Sequence, residues 1–234
     1  HLDLTGAEVS HRGDLGDVEL LLGEPFDIPQ QPPLLGFCNG DGDTLAAGAA
    51  LCDLFHLGRI DTEGYLFITG RAKDLIIRGG HNIDPAEIEE ALLAHPAVAF
   101  AGAIGQPDAH AGELPCAYVE LVGGASVTGA ELVEHCKTHV HERAAWPKHV
   151  EVLAELPKTA VGKVFKPDLR KRAITRTYNA ALVEAKLNAE VVDVIDDKKR
   201  GLVAKLTRSG AVNDAQISAV LGQFAQGWEW EAAQ

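Results

Sequence analysis

The order of apolar patterns between residues 74 and 156 constrains the fold of this chain more than any other feature. Short apolar runs have the length and the flanking Gly or Pro residues typical of strands: "DLIIRGG", "AVAFAGAIGQ", "PCAYVELV" and "HVEVLAEL". Two segments with helical spacing separate them, "DPAEIEEALLAHP" and "TGAELVEHCKTHVHERA". The order strand–helix–strand–strand–helix–strand predicts an α+β domain built on a small three-stranded sheet with helices.

Both predicted helices carry recognisable start signals and apolar faces. Asp84 is the predicted N-cap of the first helix, with Pro85 at its first position and Glu87 completing a capping box. Its apolar face is formed by Ile88, Leu92 and Leu93. The second helix is expected to turn three residues inward: Leu132, Val133 and Cys136.

The flanking segments predict further elements. Before the α+β unit, "GRIDTEGYLFITGR" predicts two strands around a turn, and "DVELLL" (17–22) predicts another strand. After it, we expect a long helix from "KPDLRK", a hairpin around "DDKKRG", and a helix capped by Asn213 or Asp214. We therefore predict three parts: a β-rich segment (1–72), an α+β domain (73–170) and a helix-hairpin-helix extension packed on it (171–234).

Composition excludes several classes of function. The net charge of −13 argues against a nucleic-acid surface, and no apolar run approaches the roughly 18 residues of a membrane span. The first residues do not resemble a signal peptide. The four cysteines form no C-x-x-C pair, which favours reduced thiols in a cytoplasmic protein over zinc ligands or disulfides. Since Met is absent from 234 residues, we expect a fragment of a longer chain.

The segment "ELPKTAVGKVFKPDLRK" concentrates positive charge in this acidic chain. It contains Lys158, Lys163, Lys166, Arg170 and Lys171. It is not a Walker A loop, because position 157 is Pro where that motif needs Gly and position 164 is Val where it needs Ser or Thr. Two interpretations remain: a solvated basic loop, or a lysine that enters and leaves a neighbouring site.

The histidines favour no metal site. His135 and His139 share a helix face and His141 is close in sequence, but no carboxylate or cysteine completes a ligand set. We expect all three to face solvent. Trp146 is expected to anchor the chain in the core.

Two long motifs carry a family resemblance. "GRAKDLIIRGGHNIDPAEIE", followed about 70 residues later by "LPKTAVGKVFKPDLR", resembles the C-terminal part of the adenylate-forming, AMP-binding enzymes, and acyl-CoA synthetases in particular. The resemblance covers roughly residues 58–170 and leans toward fatty-acyl-CoA synthetases. It implies a mobile C-terminal lid domain preceded by the end of a large N-terminal domain.

The resemblance also implies chemistry for particular residues. A carboxylic acid, which the resemblance predicts to be a fatty acid, would react with ATP to give an acyl-adenylate, and CoA would then displace AMP. Lys163 would be the catalytic lysine of adenylation, Lys73 the hinge, and Arg71 a ligand of the nucleotide. Gly79, Gly80 and His81 would form the CoA-side loop, whose alternative role is that of a turn before the first helix. ATP, Mg²⁺ and coenzyme A would be bound mainly by the large domain.

The chain departs from the family pattern before "LGRID". The family usually has Thr-Gly-Asp there, with the Asp binding the ribose, whereas this chain has Leu54, Phe55 and His56. Either Asp53 substitutes for it, or nucleotide binding is impaired, or residues are missing from this sequence. Since no phosphate loop is present, the fragment alone is expected to be inactive. The alternatives are an adenylation domain serving a carrier protein, and a non-catalytic interaction module.

Overall fold

A computed structural model of the chain describes residues 2–3, 56–60, 65–71 and 74–231, which form eleven strands and four α-helices. The strands are β1 (Leu2–Asp3), β2 (His56–Ile60), β3 (Tyr65–Arg71), β4 (Ile76–Arg78), β5 (His81–Ile83), β6 (Val98–Asp108), β7 (Gly112–Leu121), β8 (His149–Leu153), β9 (Ala189–Asp197), β10 (Gly201–Arg208) and β11 (Gly227–Trp230). The helices are α1 (Pro85–Leu93), α2 (Gly129–His139), α3 (Lys166–Glu184) and α4 (Asp214–Leu221). The chain divides into two compact units, His1–Asp74 and Leu75–Gln234.

The first unit contains a small sheet of strand order β1-β3-β2. β2 and β3 run antiparallel, with a register shift between Leu57 and Gly58. The two strands predicted from "GRIDTEGYLFITGR" are therefore confirmed, while the strand predicted over 17–22 lies outside the described residues. The three-part division of the chain stays a prediction.

The second unit is built on a five-stranded sheet. β6 and β7 form its long antiparallel centre, and β8 pairs with β7 in parallel. α2 makes the crossover that a parallel pair requires. The α+β class is confirmed, but the sheet exceeds the predicted three strands because β4 and β5 form a hairpin whose first strand pairs with β7 at Gly112.

Alternation along the strands divides the sheet into two apolar faces. Ala101 and Ala103 point into one core while Gly102 and Ile104 face the other, as a period of two requires. The first core lies under α1 and α2 and includes Ile88, Leu92, Leu132 and Cys136. Of the predicted inward residues, Leu93 is exposed.

The starts of α1 and α2 differ from expectation in one detail. Asp84 is the N-cap of α1, as predicted, but it accepts from the backbone N–H of Ala86. The Glu87 carboxylate accepts from the backbone N–H of His141 instead of completing a capping box. A complete capping box occurs at α2, between Thr128 and Glu131.

α3 links the five-stranded sheet to the C-terminal extension. Its N-terminal half buries Leu169 and Ala173 against the second face of the sheet. A Cβ on Gly102 would lie 2.7 Å from Leu169 Cδ1, so the close packing of α3 requires glycine there. The C-terminal half buries Ile174, Tyr178 and Leu182 in a separate core.

That separate core belongs to the extension. The predicted hairpin is present as β9 and β10, and Asn213 caps α4 through a capping box with Gln216. The structure adds β11, which runs parallel to β10 and was missed because "GWEW" is too short to show a period. Its Trp228 and Trp230 pack against the extension core, and Tyr178 donates to the carbonyl of Gln226 at 2.5 Å. No described helix is long and apolar enough to cross a membrane.

Candidate functional site

The lysine loop, which we define as residues 157–165, is a tight turn closed by its own backbone. The Thr159 N–H donates to the Lys163 carbonyl at 2.7 Å, and the Lys163 N–H donates to Thr159 Oγ1 at 3.2 Å. Gly162 has φ +78°, a left-handed conformation that glycine adopts without a Cβ penalty. At the base of the loop, Phe165 N–H donates to the Pro157 carbonyl at 2.7 Å. The loop therefore has a defined backbone with Lys163 near its tip.

The basic residues around this loop fall into two groups. Lys158 pairs with Glu120 at 2.8 Å and also lies over the Phe100 ring at 4.1 Å. Lys166 pairs with Glu89 at 2.9 Å. Lys163 is exposed, and residues 74–231 offer its ammonium no ion-pair partner. Lys158 and Lys166 therefore do not belong to a solvated basic loop, whereas the catalytic role of Lys163 stays a prediction.

Glu120 illustrates how firmly the first pair is held. Its carboxylate accepts from Lys158 Nζ and from the Leu156 N–H at 2.9 Å. These two hydrogen bonds lower the pKa of Glu120 from its ordinary value, the Lys158 contact being the larger cause. Glu120 and Glu89 were not predicted as site residues, because nothing in the sequence marks either of them as a lysine partner.

The predicted CoA-side loop forms the turn between β4 and β5, which we call the glycine turn (Gly79 and Gly80). Both glycines have positive φ, +55° and +87°. A Cβ built on either would meet nothing within 4 Å, so only the backbone conformation favours glycine here. Gly79 N–H donates to the Ala111 carbonyl at 2.8 Å, and His81 is exposed.

A cleft of about 770 Å³ lies beside the glycine turn. Gly79 and His81 line it, together with Val133, Trp146 and Pro147. Four basic residues also line it and define what we call the basic cleft: Arg78, Lys137, Arg143 and Lys148. In a chain of net charge −13, this concentration of cations predicts an anionic ligand.

The four cations are held to different degrees. Arg78 donates to the Ala144 carbonyl at 2.5 Å, and Lys137 pairs with Glu134 at 2.6 Å. Arg143 lies 5.7 Å from the Trp146 ring centroid and is exposed, as is Lys148. This cleft was not predicted, because its residues come from β4, α2 and the segment before β8. The one available signal was Arg78, which directly precedes the glycine turn.

Three predicted site residues belong to the first unit of the chain. Asp53 and Lys73 lie outside the described residues. The backbone of Arg71 ends β3, where it pairs with His56 of β2. The nucleotide and hinge assignments of these residues stay predictions.

The histidines differ from the expectation of three solvent-facing rings. His135 is half-buried, with its Nε2 2.9 Å from the Ala91 carbonyl oxygen. Its ring stacks on His139 at 3.9 Å and meets His95 edge-on at 5.0 Å. Burial, with the nearby His139 and His95, lowers the pKa of His135. His141 is exposed, as expected.

A buried polar cluster between the sheet and α3 was also not predicted. Arg176 donates to Gln106 Oε1 at 2.7 Å and lies 3.6 Å from the Cys116 Sγ. The buried Tyr118 hydroxyl and His149 Nε2 have no hydrogen-bond partner among the described residues. Burial raises the pKa of Cys116 to about 11, which favours the protonated thiol near neutral pH. Cys116 and Cys136 are both free, in line with the predicted reduced thiols.

The resemblance implies a magnesium ion, and the described residues can be tested for side chains that would bind it. No group of three or more His, Cys, Asp or Glu side chains there could hold a metal ion. The described residues therefore do not fit a resident Mg²⁺.

Comparison with known proteins agrees with the motifs. Residues 87–163 match the model of the AMP-binding enzyme C-terminal domain. A marinolic acid–CoA ligase from Pseudoalteromonas sp. is 44% identical over 73% of this chain and 26% of its own length. A 2-succinylbenzoate–CoA ligase from Geobacillus sp. is 41% identical over 54% of this chain and 25% of its own length. A crystal structure of ATP-bound MatB from Rhodopseudomonas palustris shares 37% identity over 53% of this chain and 24% of that one, with a TM-score of 0.47.

The chain thus spans about a quarter of the length of these relatives. The matched segment begins in α1 and ends at Lys163. It contains β6, β7 and β8 of the five-stranded sheet and most of the lysine loop. Residues 87–163 are therefore similar to the C-terminal domain of the AMP-binding enzymes, and the chain resembles part of the acyl-CoA ligases.

Proposed function

We propose that this chain contains the lid of an ATP-dependent acyl-CoA synthetase that converts a carboxylic acid, a fatty acid in our proposal, into its CoA thioester. The observation that carries the proposal is the lysine loop: a rigid turn presents an exposed ammonium with no carboxylate partner among residues 74–231. The proposal assigns the ATP and acid pockets to a large N-terminal domain, which would be the main partner of the lid.

In the first half-reaction, an oxygen of the acid's carboxylate attacks the α-phosphorus of ATP. The new bond is the P–O bond of the acyl-adenylate, and the bond that breaks releases pyrophosphate. Two anions meet in this step, so a cation between them stabilises the charge that builds in the transition state. Lys163 suits this role because lysine is a compact charge on a long flexible stem.

In the second half-reaction, the CoA sulfur attacks the acyl carbon and AMP leaves. The basic cleft beside the glycine turn supports CoA as the thiol, because CoA carries a diphosphate and a 3′-phosphate. Arg143 and Lys148 are exposed cations that could pair with these groups. The thiol arm would contact Gly79, Gly80 and His81. At the two glycines the backbone can approach a narrow ligand closely, because they have no side chains.

The remaining assignments concern the nucleotide and the change between half-reactions. We propose that Arg71 and Asp53 bind the nucleotide and that Lys73 is the hinge about which the lid turns. The lysine loop and the glycine turn would then serve successive steps of one reaction.

The test is a paired half-reaction assay on the protein that contains this chain and the large domain. Lys163→Ala is expected to slow acyl-adenylate formation by roughly 10²–10³, since one preorganised donor is lost, and to spare thioester formation from supplied adenylate. Lys73→Pro, which restricts φ at the hinge, is expected to slow only thioester formation. Pyrophosphate exchange measures the first rate and thioester absorbance the second.

Lys199→Ala is the matched control, because it removes the same charge from another exposed turn. Equal loss in both half-reactions for Lys163→Ala would reject its role in adenylation. Activity with a carrier protein but none with CoA would favour the carrier-protein alternative, and no adenylate formation by the wild-type protein would favour a non-catalytic module.

A further inference from the structure

Two carboxylates hold the ends of the lysine loop in the same way. Glu120 on β7 accepts from Lys158 Nζ at 2.8 Å and from a backbone N–H, that of Leu156, at 2.9 Å. Glu89 on α1 accepts from Lys166 Nζ at 2.9 Å and from the Ala103 N–H of β6 at 2.7 Å. Each carboxylate thus joins one lysine near an end of the loop to the main chain of the domain.

Both ion pairs are largely shielded from water. The four side chains are between 18% and 21% exposed, whereas Lys137 and Glu134 in a neighbouring pair are 38% and 70% exposed. Shielded pairs are screened less by salt and restrict their side chains more than surface pairs do. The Lys158 ammonium is further fixed by the face of the Phe100 ring.

The Lys163 ammonium itself takes no part in these contacts. Between the two anchors, the loop is closed by Thr159 and Gly162 through backbone hydrogen bonds. Glu89 and Glu120 lie on elements of the lid core, so the loop is fixed to α1 and to the central strands. The backbone beneath Lys163 is therefore held while its side chain stays available.

We propose that Glu89 and Glu120 are positioning residues for Lys163, which keep the lysine loop in the conformation that adenylation requires. This inference rests on the proposed function of Lys163. A loop held in one conformation loses less entropy when its cation is placed against a reacting phosphate, and this raises the rate of that step alone. Neither glutamate is expected to touch ATP or the acid.

Glu89→Gln, Glu120→Gln and the double variant test the proposal in the protein that contains the large domain. Glutamine removes the charge but keeps an oxygen acceptor for the Ala103 or Leu156 N–H. In the double variant, kcat for adenylate formation is expected to fall about tenfold, with KM for ATP and thioester formation from supplied adenylate unchanged. Asp214→Asn, which breaks an exposed pair with Arg208, is the control and is expected to match wild type.

Either of two results would overturn the proposal: adenylation in the double variant equal to wild type, or an equal fall in both half-reactions, as a general loss of structure would produce. Lys158→Arg and Lys166→Arg keep the ion pairs and are expected to keep adenylation. If the glutamine variants fail to fold, Lys158→Gln and Lys166→Gln remove the same pairs from the loop side, and the same split is expected.

A measurement on the 234-residue chain separates this inference from the proposed function. The backbone amides of Gly162 and Lys163 are expected to exchange with solvent about tenfold faster in the double variant, because the loop opens more often. Unchanged exchange would overturn the positioning role even if Lys163→Ala cripples adenylation. Faster exchange combined with a Lys163→Ala variant that keeps its adenylation rate would instead identify the proposed function as the part that failed.

Discussion

The lysine loop and the glycine turn present charge to a ligand in opposite ways. In the lysine loop, two ion pairs and a set of backbone hydrogen bonds fix the main chain, and one ammonium is left exposed. In the glycine turn, two residues with positive φ supply backbone without charge, and the cations come from the surrounding basic cleft. A single cation on a long stem suits a transient visit to a phosphate, whereas several cations around one cleft suit a ligand that must be held.

After the loss of roughly 10²–10³ expected for Lys163→Ala, the next largest effect that would sharpen this comparison is expected in the basic cleft. Arg143→Gln combined with Lys148→Gln removes the two exposed cations without breaking the hydrogen bond of Arg78 or the ion pair of Lys137. KM for CoA is expected to rise roughly 10–100-fold, since each charged hydrogen bond contributes about 1.5 kcal/mol or more, while adenylate formation is unchanged. Steady-state kinetics at low salt measures both.

Lys198→Gln combined with Lys199→Gln is the control for this experiment, because it removes equal charge from the exposed β9–β10 turn. An unchanged KM for CoA in the cleft variant would break the comparison, since the glycine turn would then have no neighbouring anion site.

A smaller effect is expected from the glycine turn itself. Gly80→Ala places a Cβ at φ +87°, where it meets no atom within 4 Å but strains the backbone by about 1–2 kcal/mol. We expect thioester formation to fall about tenfold and adenylate formation to stay unchanged, because in the proposed function only the CoA step uses the glycine turn. The two half-reactions measured separately give the result.

Gly124→Ala is the matched control for this substitution. Gly124 has φ +81° in a turn between β7 and α2, and a Cβ there also meets nothing within 4 Å. Both variants should lose similar stability, but only Gly80→Ala should slow thioester formation. Equal kinetic effects would show that general strain, not the position of the glycine turn, is responsible.

The smallest effect is expected from pH, and it concerns two partly buried histidines, His135 and His149. His135 lies on α2 and His149 directly follows Lys148, and the pKa of each ring is below its ordinary value of 6.5, mainly through burial. Arg176 adds to the lowering at His149, where Glu151 opposes it. The folded protein therefore binds fewer protons than the unfolded chain as the pH falls below about 6.5.

The free energy of unfolding should accordingly be full above that pH and decrease as the pH drops toward the lowered pKa values. Urea denaturation midpoints between about pH 7.5 and 5.5 measure this window. In a His135→Gln and His149→Gln variant the dependence should flatten. A wild-type midpoint that does not decrease on acidification would contradict the assignment of both histidines as neutral in the folded protein.

How far the sequence predicted the molecule depended on whether the signal was local. The helices and most strands were found because their periods are written in consecutive residues, as in "AVAFAGAIGQ" and "PCAYVELV". β4 was predicted from "DLIIRGG", whereas β5 and β11 were missed, because such short strands show no period and are defined by their pairing with β4 and β10. The capping box of α1 was predicted wrongly because Glu87 reaches His141, 54 residues away.

The candidate site follows the same division. The sequence marked Lys163 and the two glycines through continuous motifs that resemble those of the adenylate-forming enzymes. Only the tertiary structure decided which lysines are engaged, because Glu89 and Glu120 reach the lysine loop from elements that are 77 and 38 residues away from Lys166 and Lys158. It alone assembled the basic cleft as well, since β4, α2 and the segment before β8 meet through packing of the core, which the local sequence does not encode.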